Sequence, residues 1–206
     1  MDSQTLSYYA RNAGKVAERY ESVVNGLAQH FEQAFAPGAR VLDVGCGSGR
    51  DLALLHKLGR DVYGLDATSE LVALSQDTHP ELRGRVVHGV LPDALIPFGG
   101  SFDGVLCSAV LMHIAVVQLP VAVAFIERCL RPGGRLLYSV PCKRADVVAA
   151  DYRDAEGRLF VPDPADRLLK LFESHGFALI ERWTNGDSLG RDGVVWGSIL
   201  MQLNTH

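Results

Sequence analysis

Residues 41–49, VLDVGCGSG, constrain this chain more than any other stretch. An apolar, β-branched run meets glycine at 45, 47 and 49, and a helical pattern opens at Arg50. Glycine takes up left-handed backbone without steric cost, so the seam predicts a strand that turns sharply into a helix. The first N–H groups of that helix stay free for a polar ligand. Two acids bear on the same place. Asp43 sits in the strand just before the glycines, and Asp66 ends the next β-branched run, where a carboxylate can accept from two ribose hydroxyls. A dinucleotide fingerprint needs its third glycine at residue 50, which here is Arg50. The seam reads as a site for a nucleotide-like ligand of another kind.

Around it, short apolar runs alternate with segments of helical period. Strands are expected at 40–44, 61–66, 85–89, 102–108, 135–140, 177–183 and 194–203. Helices are expected as one or two pieces across 7–35, then from Arg50 to about Leu58, near 69–78, at 116–130 and at 165–176. This alternation predicts a parallel sheet with crossover helices. The last two strands are separated only by TNGDSLGRDG, too short for a crossover, so they must run antiparallel. With 206 residues, 48% of them hydrophobic, the chain can bury a sizeable core as one domain. No apolar run approaches the roughly 20 residues of a membrane span and no leader pattern opens the chain, so a cytoplasmic setting is expected. Cys46, Cys107, Cys129 and Cys142 are too far apart for paired-cysteine motifs, so neither a zinc site nor a disulfide framework is expected. A net charge of -4 gives no surplus for wrapping a phosphate backbone, which disfavours nucleic acid as a partner.

With its acid at 43 and its third glycine at 49, VLDVGCGSG resembles the cofactor motif of class I S-adenosylmethionine-dependent methyltransferases. YGLDAT resembles the family's acidic second motif, SFDGVLCSAVLMHI its fourth-strand motif, and LRPGGRLLYSV its turn and fifth strand. The resemblance implies an α/β, Rossmann-like three-layer sandwich. Its seven-stranded sheet would be mostly parallel with a final antiparallel strand, built from residues 37–206 and capped by helices in 1–36. It implies S-adenosylmethionine as cofactor and S-adenosylhomocysteine as product. Asp43 would then orient the loop or the methionine amine, while Gly45, Cys46, Gly47 and Gly49 let the cofactor lie on the backbone. Asp66 and Ala67 would meet the ribose. Many members carry an acid for the adenine amine after the third strand. Here that segment is HGVLPD, so the backbone of Val90 and Leu91, or a displaced Asp93, would substitute. Cys107 and Ser108 would flank the sulfonium, with Tyr9 and Arg11 closing over it from the N-terminal helix.

The sulfonium is an activated methyl donor, so the protein's main task is to position a nucleophile for in-line displacement. His113, just past the fourth strand, is the candidate general base, and the alternative reading is that it packs the following helix. Ligands of open parallel sheets sit outside the carboxyl ends of the strands. That directs the acceptor to the SAVLMHI turn, the segment 141–164 and the 184–192 hairpin. Tyr8, Tyr152, Arg153 and Arg191 are the expected acceptor contacts, with Arg144 and Arg158 in the same segments. Arginine forks suit a carboxylate or a phosphate. The expected reaction is methyl transfer to a small polar metabolite. The alternatives are RNA or protein methylation and a cofactor-binding module without turnover. Cys142 loosely resembles the nucleophile of RNA cytosine-C5 enzymes, but Cys107 lacks the preceding proline of their second cysteine motif, so covalent attack is not expected. Oligomeric state and accepting atom stay open.

Overall fold

The computed structural model describes residues 1–147, 150–162 and 164–205. Val148, Ala149 and Asp163, in the segment expected to face the acceptor, and His206 lie outside the described residues. Seven strands, β1 (Arg40–Val44), β2 (Asp61–Asp66), β3 (Val86–His88), β4 (Phe102–Ser108), β5 (Leu130–Arg144), β6 (Phe177–Gly186) and β7 (Val194–Leu203), form one sheet in the order β3-β2-β1-β4-β5-β7-β6. β1 to β5 pair in parallel, whereas β7 is antiparallel to both β5 and β6. The sheet is therefore the Rossmann-like arrangement with a reversed last strand that the sequence implied.

Strand residues alternate faces, and the core divides accordingly. Val105, Cys107, Leu136 and Tyr138 join one apolar layer with Phe125 and Phe172, while Leu106 and Leu137 join the other with Leu52, Leu55, Phe31 and Phe35. The helices that cover these faces are α3 (Phe31–Ala34), α4 (Arg50–Lys57), α5 (Ser69–Thr78), α6 (Leu119–Cys129) and α7 (Pro164–Ser174). Two more, α1 (Ser3–Arg11) and α2 (Ala13–Glu21), lie over α5 through Tyr8, Ala13, Val16, Ala17 and Leu71. No helix among the described residues is long and apolar enough to cross a membrane.

Bounds differ from expectation chiefly at the N-terminal helices, which begin at Ser3, at β5, which begins at Leu130, and at β6, while β3 is shorter by one residue at each end. β5 runs to Arg144 rather than Val140, because the ladder to β7 continues through Arg144↔Val194 although Lys143 and Arg144 break the apolar pattern. β6 likewise extends to Gly186, paired with Val195. The N-terminal helical region breaks at Asn12, whose backbone N–H (3.0 Å) and side-chain amide (2.8 Å) both donate to the Tyr8 carbonyl and close α1. After α2 the chain leaves helical form, and Asn25 turns it by accepting from the Leu27 N–H at 3.0 Å. That turn carries the chain across the carboxyl ends of the central strands.

Candidate active site

One cavity opens at those carboxyl ends. Its wall includes the glycine loop, the ends of β2, β4 and β5, and the β6–β7 hairpin, and it is roofed by Tyr9 of α1, Tyr20 of α2 and Asn25. Gly45, Gly47 and Gly49 all hold positive φ, at 80°, 56° and 86°. A Cβ at Gly45 would overlap the Val110 side chain, so the close approach there admits only glycine. Gly45 and Cys46 donate to the Leu65 carbonyl at 2.7 and 3.2 Å, and Gly47 donates to Asp66 Oδ2 at 2.9 Å. These bonds pin the loop to the end of β2, and Gly49 then caps α4 in left-handed conformation.

Three buried carboxylates, Asp43, Asp51 and Asp66, line this part of the cavity. Burial raises the Asp43 carboxyl well above its ordinary range, and the negative charges of Asp51 and Asp66 push the same way. Burial also raises Asp66, against the N–H donors of Gly47 and Thr68. Asp43 Oδ1 is buried with no hydrogen-bond partner among the described residues. A buried acid left unpaired is costly, so the cluster calls for a cationic, donor-rich ligand. The ammonium, sulfonium and ribose hydroxyls of S-adenosylmethionine supply those groups, and the residues present fit it.

Arg50, which breaks the dinucleotide fingerprint, has a structural task. Its guanidinium donates to the carbonyls of Tyr20 (2.8 Å) and Val23 (3.1 Å) and to both oxygens of Asp51 (2.9 and 3.3 Å), tying the roof to the glycine loop. Asn25 adds a second tie: its amide nitrogen donates to Asp51 Oδ2 at 2.5 Å and to Ser108 Oγ at 2.9 Å. Neither Asn25 nor Asp51 was among the expected site residues. The acid in the first turn after a glycine loop was the available signal for Asp51, whereas Asn25 reaches its partners only through the fold.

His113 is buried and lines the cavity. Its Nδ1 lies 2.6 Å from the Leu159 carbonyl, and a carbonyl can only accept, so Nδ1 carries the proton. Nε2 is then an acceptor and faces the Tyr9 hydroxyl at 3.3 Å. Burial lowers the His113 pKa to about 4, with the Leu159 bond opposing and Arg158 and Arg144 adding to the shift.

Of the other expected residues, Asp43, Gly45, Cys46, Gly47, Asp66, Ala67, Ser108, Tyr9 and Arg191 line the cavity together with His113. Others lie elsewhere. Cys107 is fully buried in the core and its thiol is pushed up by burial. Arg11 is exposed and donates to its own helix at the Ser7 carbonyl (3.1 Å). Tyr8 packs under the roof, 4.7 Å from the Arg158 guanidinium. Tyr152 is exposed with φ 57°. Arg153 forks onto both oxygens of Asp2 at 2.9 Å and holds the start of α1. Leu91 is buried and its carbonyl accepts from the Met1 amine, while Val90 beside it accepts from the Asp93 N–H at 3.0 Å. Arg144, Arg158, Phe160 and Trp196 complete the wall on the acceptor side.

The chain belongs to the methyltransferase-domain family, whose model matches residues 13–182, within the class I S-adenosylmethionine-dependent methyltransferases. It is similar to the ribosomal protein L11 methyltransferase of Paraburkholderia xenovorans (strain LB400), 36% identical over 124 residues that span 59% of this chain and 39% of that protein. It is also similar to the ubiquinone biosynthesis O-methyltransferase of Xanthomonas campestris pv. campestris (strain B100), 38% identical over 108 residues, 50% of this chain and 43% of that one. The matched segment thus spans less than half of either relative. Among solved structures, the 1,6-didemethyltoxoflavin-N1-methyltransferase of Burkholderia thailandensis, with its namesake compound and S-adenosylhomocysteine bound, superposes with a TM-score of 0.74 at 20% identity. The match covers 98% of this chain and 88% of that one, and it shows the same fold.

Proposed function

We propose that this chain transfers the methyl group of S-adenosylmethionine to a small polar metabolite held beneath the N-terminal helices. The observation that carries the reading is the roof itself. Tyr9, Tyr20 and Asn25 cover the same cavity that the three carboxylates line, so donor and acceptor share a space closed by the chain's own helices. When bound, the donor supplies an activated methyl on a positively charged sulfur. Asp43, Asp51 and Asp66 would hold that charge, Asp66 would accept from the ribose hydroxyls, and Ser108, at the end of β4, would lie on the same side of the cavity. The Nε2 lone pair of neutral His113, with the Tyr9 hydroxyl, is the group available to take a proton from a hydroxyl or amine acceptor. The test is incubation with methyl-labelled S-adenosylmethionine and a cell extract fractionated into metabolites, nucleic acid and protein. Label in the metabolite fraction supports the reading. Label in protein or RNA moves the acceptor to a macromolecule, and cofactor binding without transfer leaves a binding module.

A further inference from the structure

We propose that the acceptor carries an oxyanion, a carboxylate or a phosphate, and that Arg144, Arg158 and Arg191 together form the subsite that binds it. This rests on the methyl-transfer reading above and names the chemical class of its acceptor. The three arginines come from three segments: the end of β5, the connection from β5 to α7, and the β6–β7 hairpin. All three line the cavity that also holds His113, Ser108 and the glycine loop.

Their burial needs a reason. The side chains of Arg144 and Arg158 are only 6% and 10% exposed, and sequestering a guanidinium is expensive unless it is paired. Each is paired with an aspartate: Arg144 and Arg191 reach both carboxylate oxygens, whereas Arg158 sets both nitrogens on Asp154 Oδ2 alone and has Glu156 3.5 Å from Nη2. Arg144 offers Nε and Nη2 to Asp146 at 2.6 and 2.6 Å, Arg158 offers them to Asp154 at 2.8 and 2.6 Å, and Arg191 offers them to Asp187 at 2.9 and 2.6 Å. The Nη1 nitrogens of Arg144 and Arg191 have no hydrogen-bond partner among the described residues, and Arg158 has the Tyr9 side chain beside it as well as Asp154. A lock between loops would be expected to use its donors up. Two forks in one cavity that each leave the same nitrogen over, with the Arg158 guanidinium beside them, are instead a set of donors and charges for an oxygen-rich ligand.

The carboxylates are arranged so as not to repel such a ligand at contact. Asp146 and Asp154 stand behind their arginines and do not line the cavity. Asp187 does line it, but its oxygens are already taken by the Arg191 fork, the Arg191 and Leu189 N–H groups and the Trp196 indole N–H at 2.9 Å. Aromatic faces fix the guanidinium planes, since Arg144 lies 3.8 Å over Phe160 and Arg158 lies 4.7 Å over Tyr8. The subsite also stands near His113, because Phe160 packs 4.7 Å from the His113 ring and Arg144 lies 3.8 Å over Phe160. Trp196 and Tyr9 give the same cavity flat apolar walls.

The test uses calorimetry on the full chain saturated with S-adenosylhomocysteine, titrated separately with benzoate, phenyl phosphate and the neutral isostere benzamide. At least one anion should bind at least about tenfold more tightly than benzamide, with a dissociation constant of about 1 mM or below. Which anion wins assigns carboxylate or phosphate. Arg144→Gln and Arg191→Gln should each weaken the anion about tenfold while S-adenosylhomocysteine affinity stays within about twofold. Arg158→Gln and Arg191→Gln alone each leave a buried aspartate, Asp154 and Asp187, without its guanidinium, so each is also made with that aspartate changed to asparagine. Equal binding of benzamide and the anions, no binding of either anion, or arginine variants that bind anions as the wild type does would overturn the inference. Failure of S-adenosylhomocysteine itself to bind is a different result, and it overturns the methyl-transfer reading along with this one.

Discussion

Arg50→Lys should loosen the roof of the donor site while leaving its charge in place. The arginine fork reaches four acceptors at once, the Tyr20 and Val23 carbonyls and both oxygens of Asp51. A lysine ammonium is a point charge that can stay on Asp51 but cannot span to both carbonyls. Two hydrogen bonds from a charged donor are lost. Arg50 is 22% exposed, so water replaces part of what is lost and each bond is discounted to about 1 kcal/mol, about 2 kcal/mol in all. That moves the equilibrium between closed and open roof by about 30-fold. If the closed form is the one that binds, apparent affinity for S-adenosylhomocysteine should fall by up to the same factor.

Hydrogen exchange at amides 20–27 and calorimetric affinity measure the two effects separately. Arg50→Gln provides the contrast, because it removes the charge as well. Asp43, Asp51 and Asp66 are then less neutralised, so the glutamine variant should favour cationic S-adenosylmethionine over uncharged-sulfur S-adenosylhomocysteine more than the lysine variant does. Unchanged exchange over 20–27 together with unchanged affinity in Arg50→Lys would refute the argument.

Asp66→Ala should weaken S-adenosylhomocysteine by about 1–3 kcal/mol through loss of a buried acceptor, and wild-type affinity by calorimetry would remove Asp66 from the site. His113 should stay neutral in the folded protein down to about pH 4, while an unfolded histidine protonates near the ordinary value of about 6.5. Between those values the unfolded chain binds the extra proton, so the stability contributed by burying neutral His113 is present above that window and falls away as pH drops through it, by about 3 kcal/mol in full. An NMR titration of the ring that gives an ordinary value would contradict the buried geometry. Cys142 is exposed, away from the cavity wall, so Cys142→Ser should keep methyl transfer, and loss of turnover with intact cofactor affinity would point to a covalent route.

Legibility in the sequence followed the range of the interactions. The bounds of β1, β2, β4 and β7 could be read directly, because apolar runs and the glycine seam set them locally. The donor half of the site was legible for the same reason: Asp43, the glycines and Asp66 lie within 24 residues along two adjacent strands. The acceptor half was legible only as segments. Arg153 and Arg158 are five residues apart in one polar loop, yet Arg153 goes to Asp2 and Arg158 goes to the cavity. What separates them is a local turn. Asp154 Oδ1 accepts from the Glu156 and Arg158 N–H groups, and a bridge joins Arg153 to Leu159, so the two side chains leave the loop in different directions. No periodicity encodes that choice.

The roof is the place where such long-range ties matter most. α1 and α2 have nine residues each, shorter than the about 12–15 at which isolated helices become even marginal in water, so their order must come from what they touch. Apart from the apolar seat on α5, those contacts are mostly polar, and some of them reach the cavity. Asp2 meets Arg153, Thr5 Oγ1 accepts from the Leu159 N–H at 2.9 Å, Tyr9 meets His113, and Arg50 holds the chain after α2. The third reaches the cavity at His113, the first two fasten α1 to the loop before α7, and the last engages the glycine loop. If acceptor and cofactor both bind beneath this roof, as proposed, a ligand that orders it should spare the other part of the entropy of closing, so S-adenosylhomocysteine should tighten acceptor binding by calorimetry.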